Sequence, residues 1–441
     1  MMLFSRIAGS QLLRSVVLLI QERSWYGKLI ICQLETVLFS LFYPAKKGVK
    51  SKLAKHLWIS KPLANTAEGY LRFGKVNNFI LNGITSLVLW ALVGGIAIPA
   101  QVDVPILTET NMNTKGEDGY EVTKPPYPVI VFSHGMASSR TDYIQYCSEL
   151  ASRGIIVAAI EHRDGSSPGS VIVNRDETIK SIWPMSTSQL RNPEDTSIES
   201  DDFKKYQLGF RQAEIEETVR VLRSLNKGDG EAISGGNRRK EGRALAGFAG
   251  LLDFEKIIMA GHSYGATGAL QALLRAPSPT LPFAGGIALD PGKSSGPLNS
   301  NITVPLLIIH SNSWSRSHSL FYGRPHFDVV KEIAQGVIAK GIPAWFLTSL
   351  GTSHPSVTDA PLIEPLLLSW TTGATIDVKE GVREYFRVSG EFVEVLRNGK
   401  RLGVLDEEVT HTEYDVVDEK RKGKLNEEMA RYWQIHAAPG H

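Results

Sequence analysis

The pentapeptide Gly261-His262-Ser263-Tyr264-Gly265 carries the clearest chemistry in the sequence. Residues 256–260 before it predict a short buried strand, and residues 266–274 after it predict a helix. A G-x-S-x-G turn between a strand and a helix is typical of a nucleophile elbow, which raises a serine hydroxyl above the carboxyl edge of a parallel sheet. The sequence therefore predicts Ser263 as a nucleophile. A small-residue turn around a buried serine is the alternative interpretation.

An acidic residue follows the next predicted strand. The apolar run 283–289 ends at Asp290, which precedes Pro291, so the carboxylate is expected at the carboxyl end of a strand. In an α/β-hydrolase the triad follows the order Ser, acid, His. Asp290 would hold an imidazole in its working tautomer and stabilise the imidazolium. The alternative is an aspartate that only begins a turn.

The general base is expected on a loop after a later strand. Residues 344–348 predict that strand, and His354 follows it. His310, which follows the predicted strand 305–309, is the competing candidate, but it comes one strand too early in the chain order. His262, inside the elbow, is interpreted as a packing residue.

A second turn supplies the predicted oxyanion hole. The strand predicted over 129–132 runs into Ser133-His134-Gly135-Met136. In this class of fold the loop after an early strand gives one oxyanion donor and the residue after the nucleophile gives the other. We therefore predict the backbone N–H groups of Met136 and Tyr264 as the donors.

Five blocks of sequence occur in a fixed order, namely FSHGMASSRTDY, LASRGIIVAAIEHRDGS, LDFEKIIMAGHSYGA, GIALD and GTSH. Together they resemble the platelet-activating-factor acetylhydrolases of the plasma and intracellular (type II-like) kind. The resemblance covers roughly residues 35 to 375. It implies an α/β-hydrolase fold, with a mostly parallel central sheet flanked by helices. It also implies the same nucleophile, acid, base and oxyanion donors as the reasoning from the residues.

The resemblance further implies a substrate and a reaction. Members of this family hydrolyse the sn-2 ester of phospholipids with short or oxidised acyl chains, without calcium. We therefore expect a phospholipid substrate and no cofactor. The sequence contains no Cys/His cluster with zinc spacing, no EF-hand loop and no phosphate-binding glycine motif after a strand.

Composition is consistent with a large globular enzyme. The 441 residues are 42% hydrophobic and carry a net charge of +2, which gives no reason to expect a nucleic-acid partner. With only two cysteines, Cys32 and Cys147, no disulfide framework is expected. We expect a cytoplasmic protein with membrane association as an alternative; the sequence leaves secretion, organelle targeting and oligomeric state open.

Residues 79–100 contain no charged side chain over a length that could span a bilayer. Polar residues and glycines interrupt the apolar run, and the resemblance places it within the catalytic domain. We interpret it as a surface helix that docks on lipid or covers the acyl pocket, and we expect peripheral contact with a membrane or lipid surface. A buried helix and a transmembrane span are the alternatives.

The predicted domain organisation has three parts. Residues 1–30 form an N-terminal extension, for which an organelle presequence is an alternative, and 31–376 form the catalytic domain. Within that domain, 166–202 is predicted as a lid-like insertion and 226–247 as a flexible loop. Residues 377–441 are predicted as a charged C-terminal appendage with strand-like pieces such as 392–396.

The charged cluster Glu161-His162-Arg163-Asp164 ends another predicted strand and is interpreted as a brace for a loop. The favoured function is thus a serine hydrolase acting on a phospholipid ester. A broad-specificity carboxylesterase is the first alternative. A catalytically silent lipid-binding protein with the same fold is the second.

Overall fold

The structure is a computed structural model of the chain. It describes residues 2–8, 16–17, 33–34, 36–60, 62–108, 125–173, 178–187, 198–237, 241–317, 319–365, 371–418 and 426–440. Most of the predicted N-terminal extension lies outside these residues.

Strands and helices alternate along much of the chain, which gives the predicted mixed α/β class. The strands are β1 (Met2–Ala8), β2 (Val16–Val17), β3 (Gln33–Leu34), β4 (Thr36–Phe42), β5 (Tyr127–Ser133), β6 (Ile156–Ile160), β7 (Ser170–Val173), β8 (Ile179–Ile182), β9 (Leu252–His262), β10 (Gly285–Leu289), β11 (Leu306–Ser311), β12 (Leu320–Phe321), β13 (Arg324–Pro325), β14 (Ala344–Ser349), β15 (His411–Glu413), β16 (Val416–Val417) and β17 (Trp433–Ala437). The helices are α1 (Leu63–Phe73), α2 (Phe79–Val93), α3 (Ile144–Ser152), α4 (Ser200–Lys227), α5 (Gly230–Gly235), α6 (Tyr264–Ala272), α7 (Asn312–Arg316), α8 (His326–Ile338), α9 (Ala360–Ile363), α10 (Val378–Asn398) and α11 (Glu427–Tyr432). Short 3₁₀ helices cover Arg243–Phe248, His354–Val357 and Gly403–Asp406.

The chain forms two compact units. The first comprises Met1–Met112, His134–Thr141 and Ala158–Leu252, and the second comprises Asn113–Ser133, Asp142–Val157 and Asp253–His441.

The second unit is built on a mostly parallel sheet with strand order β5-β9-β10-β11-β14-β17. The pairs β9/β10, β10/β11 and β11/β14 are parallel, whereas β17 runs antiparallel to β14 at the edge. Strands β10, β11 and β14 are buried along their whole length, as expected for parallel strands covered on both faces. The carboxyl ends of β9, β10, β11 and β14 therefore meet at one edge of the sheet.

The C-terminal residues also contribute to the second unit, and here one expectation is wrong. Residues 392–396 are predicted as strand-like, but they lie in the 21-residue helix α10. Its buried side chains include Val382, Tyr385, Ser389 and Phe392, and this three-to-four-residue spacing marks one face of a helix. Five residues are too short a stretch to reveal that period.

The first unit contains the neighbouring strands β1 and β4 and the last three residues of β6, with β1 antiparallel to β4. The 28-residue helix α4 buries one face and ends at Gly228, whose φ of +104° favours glycine. Within the predicted lid region, β7 and β8 form an antiparallel hairpin. Control of access by this region stays a prediction, and residues 174–177 and 188–197 lie outside the described part of the chain.

Residues 226–237 and 241–247 contain more regular secondary structure than the predicted flexible loop, and residues 238–240 lie outside the described part of the chain. The structure has helix α5 there, followed by the 3₁₀ helix Arg243–Phe248, in which Leu245 and Phe248 are buried. The contact is tight, since a Cβ on Gly230 would lie 2.1 Å from the Leu245 carbonyl oxygen. The prediction of flexibility relied on the basic, Gly-rich composition and did not consider that Leu245 and Phe248 could be buried.

Helix α2 occupies residues 79–93 and is exposed, so the buried-helix alternative is wrong. Asn78 caps it by accepting a hydrogen bond from the Leu81 N–H at 2.9 Å. Val93 is the one buried residue in this helix. Among the described residues, no helix combines the length and apolarity needed to cross a bilayer.

Candidate active site

The predicted strand, turn and helix around Ser263 are present. Strand β9 ends at His262 and helix α6 begins at Tyr264, which leaves Ser263 at the turn with a φ of +56°. A positive φ is uncommon for a residue with a side chain and marks a strained position. A Cβ on Gly261 would lie 2.2 Å from the Gly265 carbonyl oxygen, so glycine is required there.

The structure brings Ser263, His354 and Asp290 into one hydrogen-bonded chain. His354 Nε2 lies 3.0 Å from Ser263 Oγ, and His354 Nδ1 lies 2.8 Å from Asp290 Oδ2. The consistent assignment has Nδ1–H donating to the carboxylate while Nε2 accepts from the serine hydroxyl. This geometry allows His354 to take the Ser263 proton.

Asp290 is fixed from the neighbouring strand. It directly follows β10 and is 2% exposed, while the next strand, β11, ends at Ser311. The Ser311 N–H donates to Asp290 Oδ1 at 2.6 Å and the Ser311 hydroxyl donates to Oδ2 at 2.7 Å. These bonds orient the Asp290 carboxylate toward His354.

His354, the predicted base, is held by a hydrogen bond of its own backbone. His354 begins a 3₁₀ helix after β14, and its N–H donates to Ser313 Oγ at 3.0 Å. Its side chain is 30% exposed, against 2% for Asp290. The imidazole is therefore reachable from solvent while its carboxylate partner is not.

The two other candidate histidines have different roles. His310 is fully buried at the end of β11, where Nδ1 lies 3.2 Å from Ser315 Oγ, and burial lowers its pKa well below the usual value. His262 Nδ1 and the Tyr143 hydroxyl are hydrogen-bonded at 2.8 Å. The His262 ring packs beside that of His354, with centroids 4.5 Å apart. Burial also lowers the pKa of His262. Neither ring contacts the nucleophile by a hydrogen bond in the described part of the chain.

His262, Asp290 and His354 could also be considered as metal ligands, since their potential ligand atoms lie within 4.8 Å of one another. Both nitrogens of His354 already make hydrogen bonds, to Asp290 and Ser263. A metal would have to break at least one of them. The donor set therefore fits a proton-transfer triad better than a metal centre.

Residues around the triad were not all predicted. Ser311 and Ser313 hold the acid and the base, and Trp314 stacks on His354. Ser311 could have been identified, because it ends the strand next to the one that precedes Asp290. No local pattern distinguishes Trp314 from the other tryptophans of the chain.

The two predicted oxyanion donors lie in different units, and their joint action stays a prediction. Tyr264 is the first residue of α6, where backbone N–H groups point away from the helix. Met136 lies in the first unit. The N–H of the next residue, Ala137, donates to the Ser166 carbonyl at 2.8 Å. The buried Arg211 donates to the His134 carbonyl at 2.7 Å, so this loop is firmly held.

Comparison with known proteins identifies a family. The model of "Platelet-activating factor acetylhydrolase, isoform II" matches residues 27–408, which is most of the chain. The chain is similar to the platelet-activating factor acetylhydrolase of Cavia porcellus, with 28% identity over 282 residues, covering 62% of this chain and 54% of the relative. It is also similar to that of Canis lupus familiaris, with 31% identity over 220 residues, covering 47% of this chain and 44% of the relative.

A third relative is a putative phospholipase A2 of Schizosaccharomyces pombe, 28% identical over 204 residues, covering 45% of this chain and 40% of the relative. The chain spans about half the length of the curated relatives it matches. The family model nevertheless matches most of the chain, and the matched range includes Ser263, Asp290 and His354. The chain belongs to the platelet-activating factor acetylhydrolase, isoform II, family.

Proposed function

We propose that the chain is a calcium-independent serine hydrolase that releases an acetyl or other short or oxidised sn-2 acyl group from phospholipids related to platelet-activating factor. The observation that carries this proposal is the hydrogen-bonded chain Ser263–His354–Asp290 at the carboxyl edge of a parallel sheet. In an α/β-hydrolase this edge is where the nucleophile, the acid and the base converge.

Acylation begins when His354 Nε2 accepts the Ser263 hydroxyl proton. Ser263 Oγ then forms a bond to the sn-2 carbonyl carbon, and the carbonyl oxygen becomes an oxyanion. We assign the oxyanion to the backbone N–H groups of Met136 and Tyr264, each worth about 10²–10³ in rate in comparable enzymes. Asp290 stabilises the imidazolium during this step.

The intermediate collapses when the bond to the glycerol oxygen breaks. His354 returns its proton to that oxygen, so a lysophospholipid leaves and the acyl group stays on Ser263. Water then gives a proton to His354 and attacks the acyl-enzyme. Release of the short carboxylic acid restores the Ser263 hydroxyl, and no metal or cofactor takes part.

The substrate class is proposed from the family and not from the triad, because a triad alone suits any ester. Two relatives are named platelet-activating factor acetylhydrolases and the third a putative phospholipase A2. All three names refer to enzymes of phospholipid esters. A short acyl group is the part of the proposal that an acyl-chain series tests most sharply.

The test is hydrolysis of phosphatidylcholines whose sn-2 chains range from acetyl to palmitoyl, with EDTA present. The proposal predicts that the wild type cleaves the short chains, spares the long ones and is indifferent to EDTA, whereas Ser263→Ala is inactive on all. Hydrolysis of simple aryl esters alone would support a broad carboxylesterase instead. No hydrolysis of any ester by correctly folded protein would favour a lipid-binding protein.

We also infer that α2 is the surface through which the protein makes peripheral contact with lipid. Eight of its large apolar residues are exposed, from 36% at Leu81 to 94% at Phe79. A helix that is apolar all round is normally buried in protein or lipid, and contiguous exposed apolar surface marks an interaction site. The helix carries no charged residue that would oppose entry into a membrane interface. We propose a cytoplasmic location for this contact.

The docking surface is tested with the triple variant Leu87→Ala, Trp90→Ala and Leu92→Ala, whose three side chains are 63–67% exposed. Loss of this apolar area should weaken flotation with phosphatidylcholine liposomes by about tenfold or more, while hydrolysis of a soluble aryl ester is retained. The matched control replaces exposed apolar residues elsewhere, Leu320→Ala with Tyr322→Ala. Liposome binding equal to the wild type would reject α2 as the docking surface.

A further inference from the structure

Trp314 makes the closest ring contact of His354 among the described residues. The indole and the imidazole are nearly parallel, with centroids 3.9 Å apart and an interplanar angle of 10°. Trp314 lies in helix α7, which directly follows β11, and its indole N–H donates to the Pro291 carbonyl at 2.9 Å. The Trp314 side chain is thus hydrogen-bonded to the residue that follows Asp290 and is also stacked on His354.

The indole is itself held by a cation. Lys293 Nζ lies 4.5 Å from the centroid of the Trp314 ring and donates to the Trp314 carbonyl oxygen at 2.8 Å. Because the imidazole fills one face of the indole at 3.9 Å, the ammonium must lie over the other. Partial burial lowers the pKa of Lys293 to about 8, so the amine is still largely charged at neutral pH.

The hydrogen bonds of His354 do not restrain all of its motions. The N–H bond and the nitrogen lone pair of an imidazole both lie in the plane of the ring, so the hydrogen bonds made through them resist tilting out of that plane only weakly. Packing against the ring faces supplies that restraint. Trp314 covers one face closely, while His262 approaches at 4.5 Å with a 36° tilt.

We propose that Trp314, held by Lys293, is a positioning residue that keeps the His354 imidazole in the plane joining Asp290 to Ser263. This inference rests on the proposed hydrolase function and adds a residue to its machinery. The indole face also attracts the imidazolium that forms when His354 accepts the serine proton. Trp314 therefore acts through the base, and its loss should change the rate of the chemical step more than the binding of substrate.

The first test compares kcat and KM of Trp314→Leu and Trp314→Phe on p-nitrophenyl acetate. A misplaced catalytic group of this kind costs about 10- to 100-fold, so Trp314→Leu should lose that much in kcat with KM little changed. Trp314→Phe keeps an aromatic face and should recover most of the loss. Unchanged kcat with a raised KM in Trp314→Leu would overturn the inference, because Trp314 would then be a wall of the substrate site.

A matched control is Trp345→Phe. Trp345 is fully buried, whereas Trp314 is only partly buried. The Trp345 indole N–H, like that of Trp314, donates to a backbone carbonyl, that of Leu405 at 3.0 Å, but the Trp345 ring packs edge-on against Phe392. Its kcat per folded molecule should equal that of the wild type. Equal losses of kcat in Trp345→Phe and Trp314→Phe would overturn the inference, because they would indicate a general loss of packing.

A second variant and a second measurement keep the proposal testable even if Trp314→Leu does not fold. Lys293→Met removes the charge behind the indole and should lower kcat in the same direction as Trp314→Leu, by a smaller factor; unchanged kcat would overturn the role of Lys293. The downfield NMR resonance of His354 Nδ1–H reports the bond to Asp290 without any substrate. It should broaden or vanish in folded Trp314→Leu and persist in Trp345→Phe, and a sharp resonance in both would contradict the proposal.

These readouts separate the two proposals. A wild type that hydrolyses no ester contradicts the proposed function, and the NMR comparison then decides the positioning role alone. An active wild type with an unchanged kcat in Trp314→Leu contradicts the positioning role and leaves the proposed function standing.

Discussion

Each unit of the molecule contains a histidine that is hydrogen-bonded to a carboxylate, and the two pairs have almost the same geometry. His354 Nδ1 lies 2.8 Å from Asp290, and His162 Nδ1 lies 2.7 Å from Glu214. Their surroundings differ. The His354 side chain is 30% exposed and its other nitrogen meets Ser263, whereas His162 and Glu214 are both fully buried.

The buried pair belongs to a network of charged groups. Glu214 also accepts bonds from the backbone and side chain of Arg163, at 3.2 and 3.3 Å. Burial lowers the pKa of His162 and raises the pKa of Glu214 to about 8, so both groups favour their neutral forms. A histidine–carboxylate contact alone therefore does not predict a catalytic role; the serine hydroxyl at the second nitrogen and the access from solvent distinguish the pair that we propose to be catalytic.

The largest expected effect separates the two histidines. His354→Gln removes the base, and we expect kcat on a short-chain ester to fall by about 10⁴-fold or more. His162→Gln should lower kcat per folded molecule by less than about tenfold, and its main cost should be stability, about 1–3 kcal/mol for the lost buried hydrogen bond. Steady-state kinetics with thermal melts measure both.

Comparable losses of kcat in the two folded variants would break the distinction between them. The control for the assay is the Ser263→Ala protein, which sets the background rate.

The two carboxylates provide the next comparison. Asp290→Asn keeps the shape but favours the wrong tautomer of His354, and a loss of about 10⁴-fold in kcat is expected. Glu214→Gln makes the same change of acid to amide in the buried pair and should leave kcat per folded molecule close to the wild-type value. Equal activity of Asp290→Asn and wild type would mean that Asp290 only begins the turn before Pro291.

The smallest effect concerns stability and pH. The pKa of Glu214 is about 8 in the folded chain and ordinarily 4.5, so the folded state holds a proton that the unfolded state releases between these values. The contribution of protonated Glu214 to the free energy of unfolding is complete below pH 4.5 and is lost as pH rises through 8. His162, whose pKa is lowered, contributes with the opposite sign only below its usual 6.5.

Glu214 therefore dominates this pair between pH 6.5 and 8. We expect the melting temperature of the wild type to fall across this interval, and that of Glu214→Gln to fall less. Parallel melting curves for the two proteins would show that Glu214 does not take up a proton on folding.

Sequence order predicted the elements of the site because chain order and strand ends are local properties. The strands before Ser263 and Asp290 and the strand before His354 are all present, and parallel strands place their ends at one edge. Trp314 and Lys293 could not be predicted, because a stacking contact between residues 314 and 354 leaves no trace in local pattern. The helix over 378–398 was missed for a different reason: the three-to-four-residue spacing of its buried side chains becomes visible only over several turns.

The most direct measurement for the central claim is labelling with a fluorophosphonate, followed by mass spectrometry of the labelled peptide. We predict one adduct, on Ser263, formed quickly in the wild type, very slowly in His354→Gln and at the wild-type rate in folded His162→Gln. An adduct on another residue, or none in protein that hydrolyses esters, would contradict the assignment of Ser263, His354 and Asp290 as the catalytic triad.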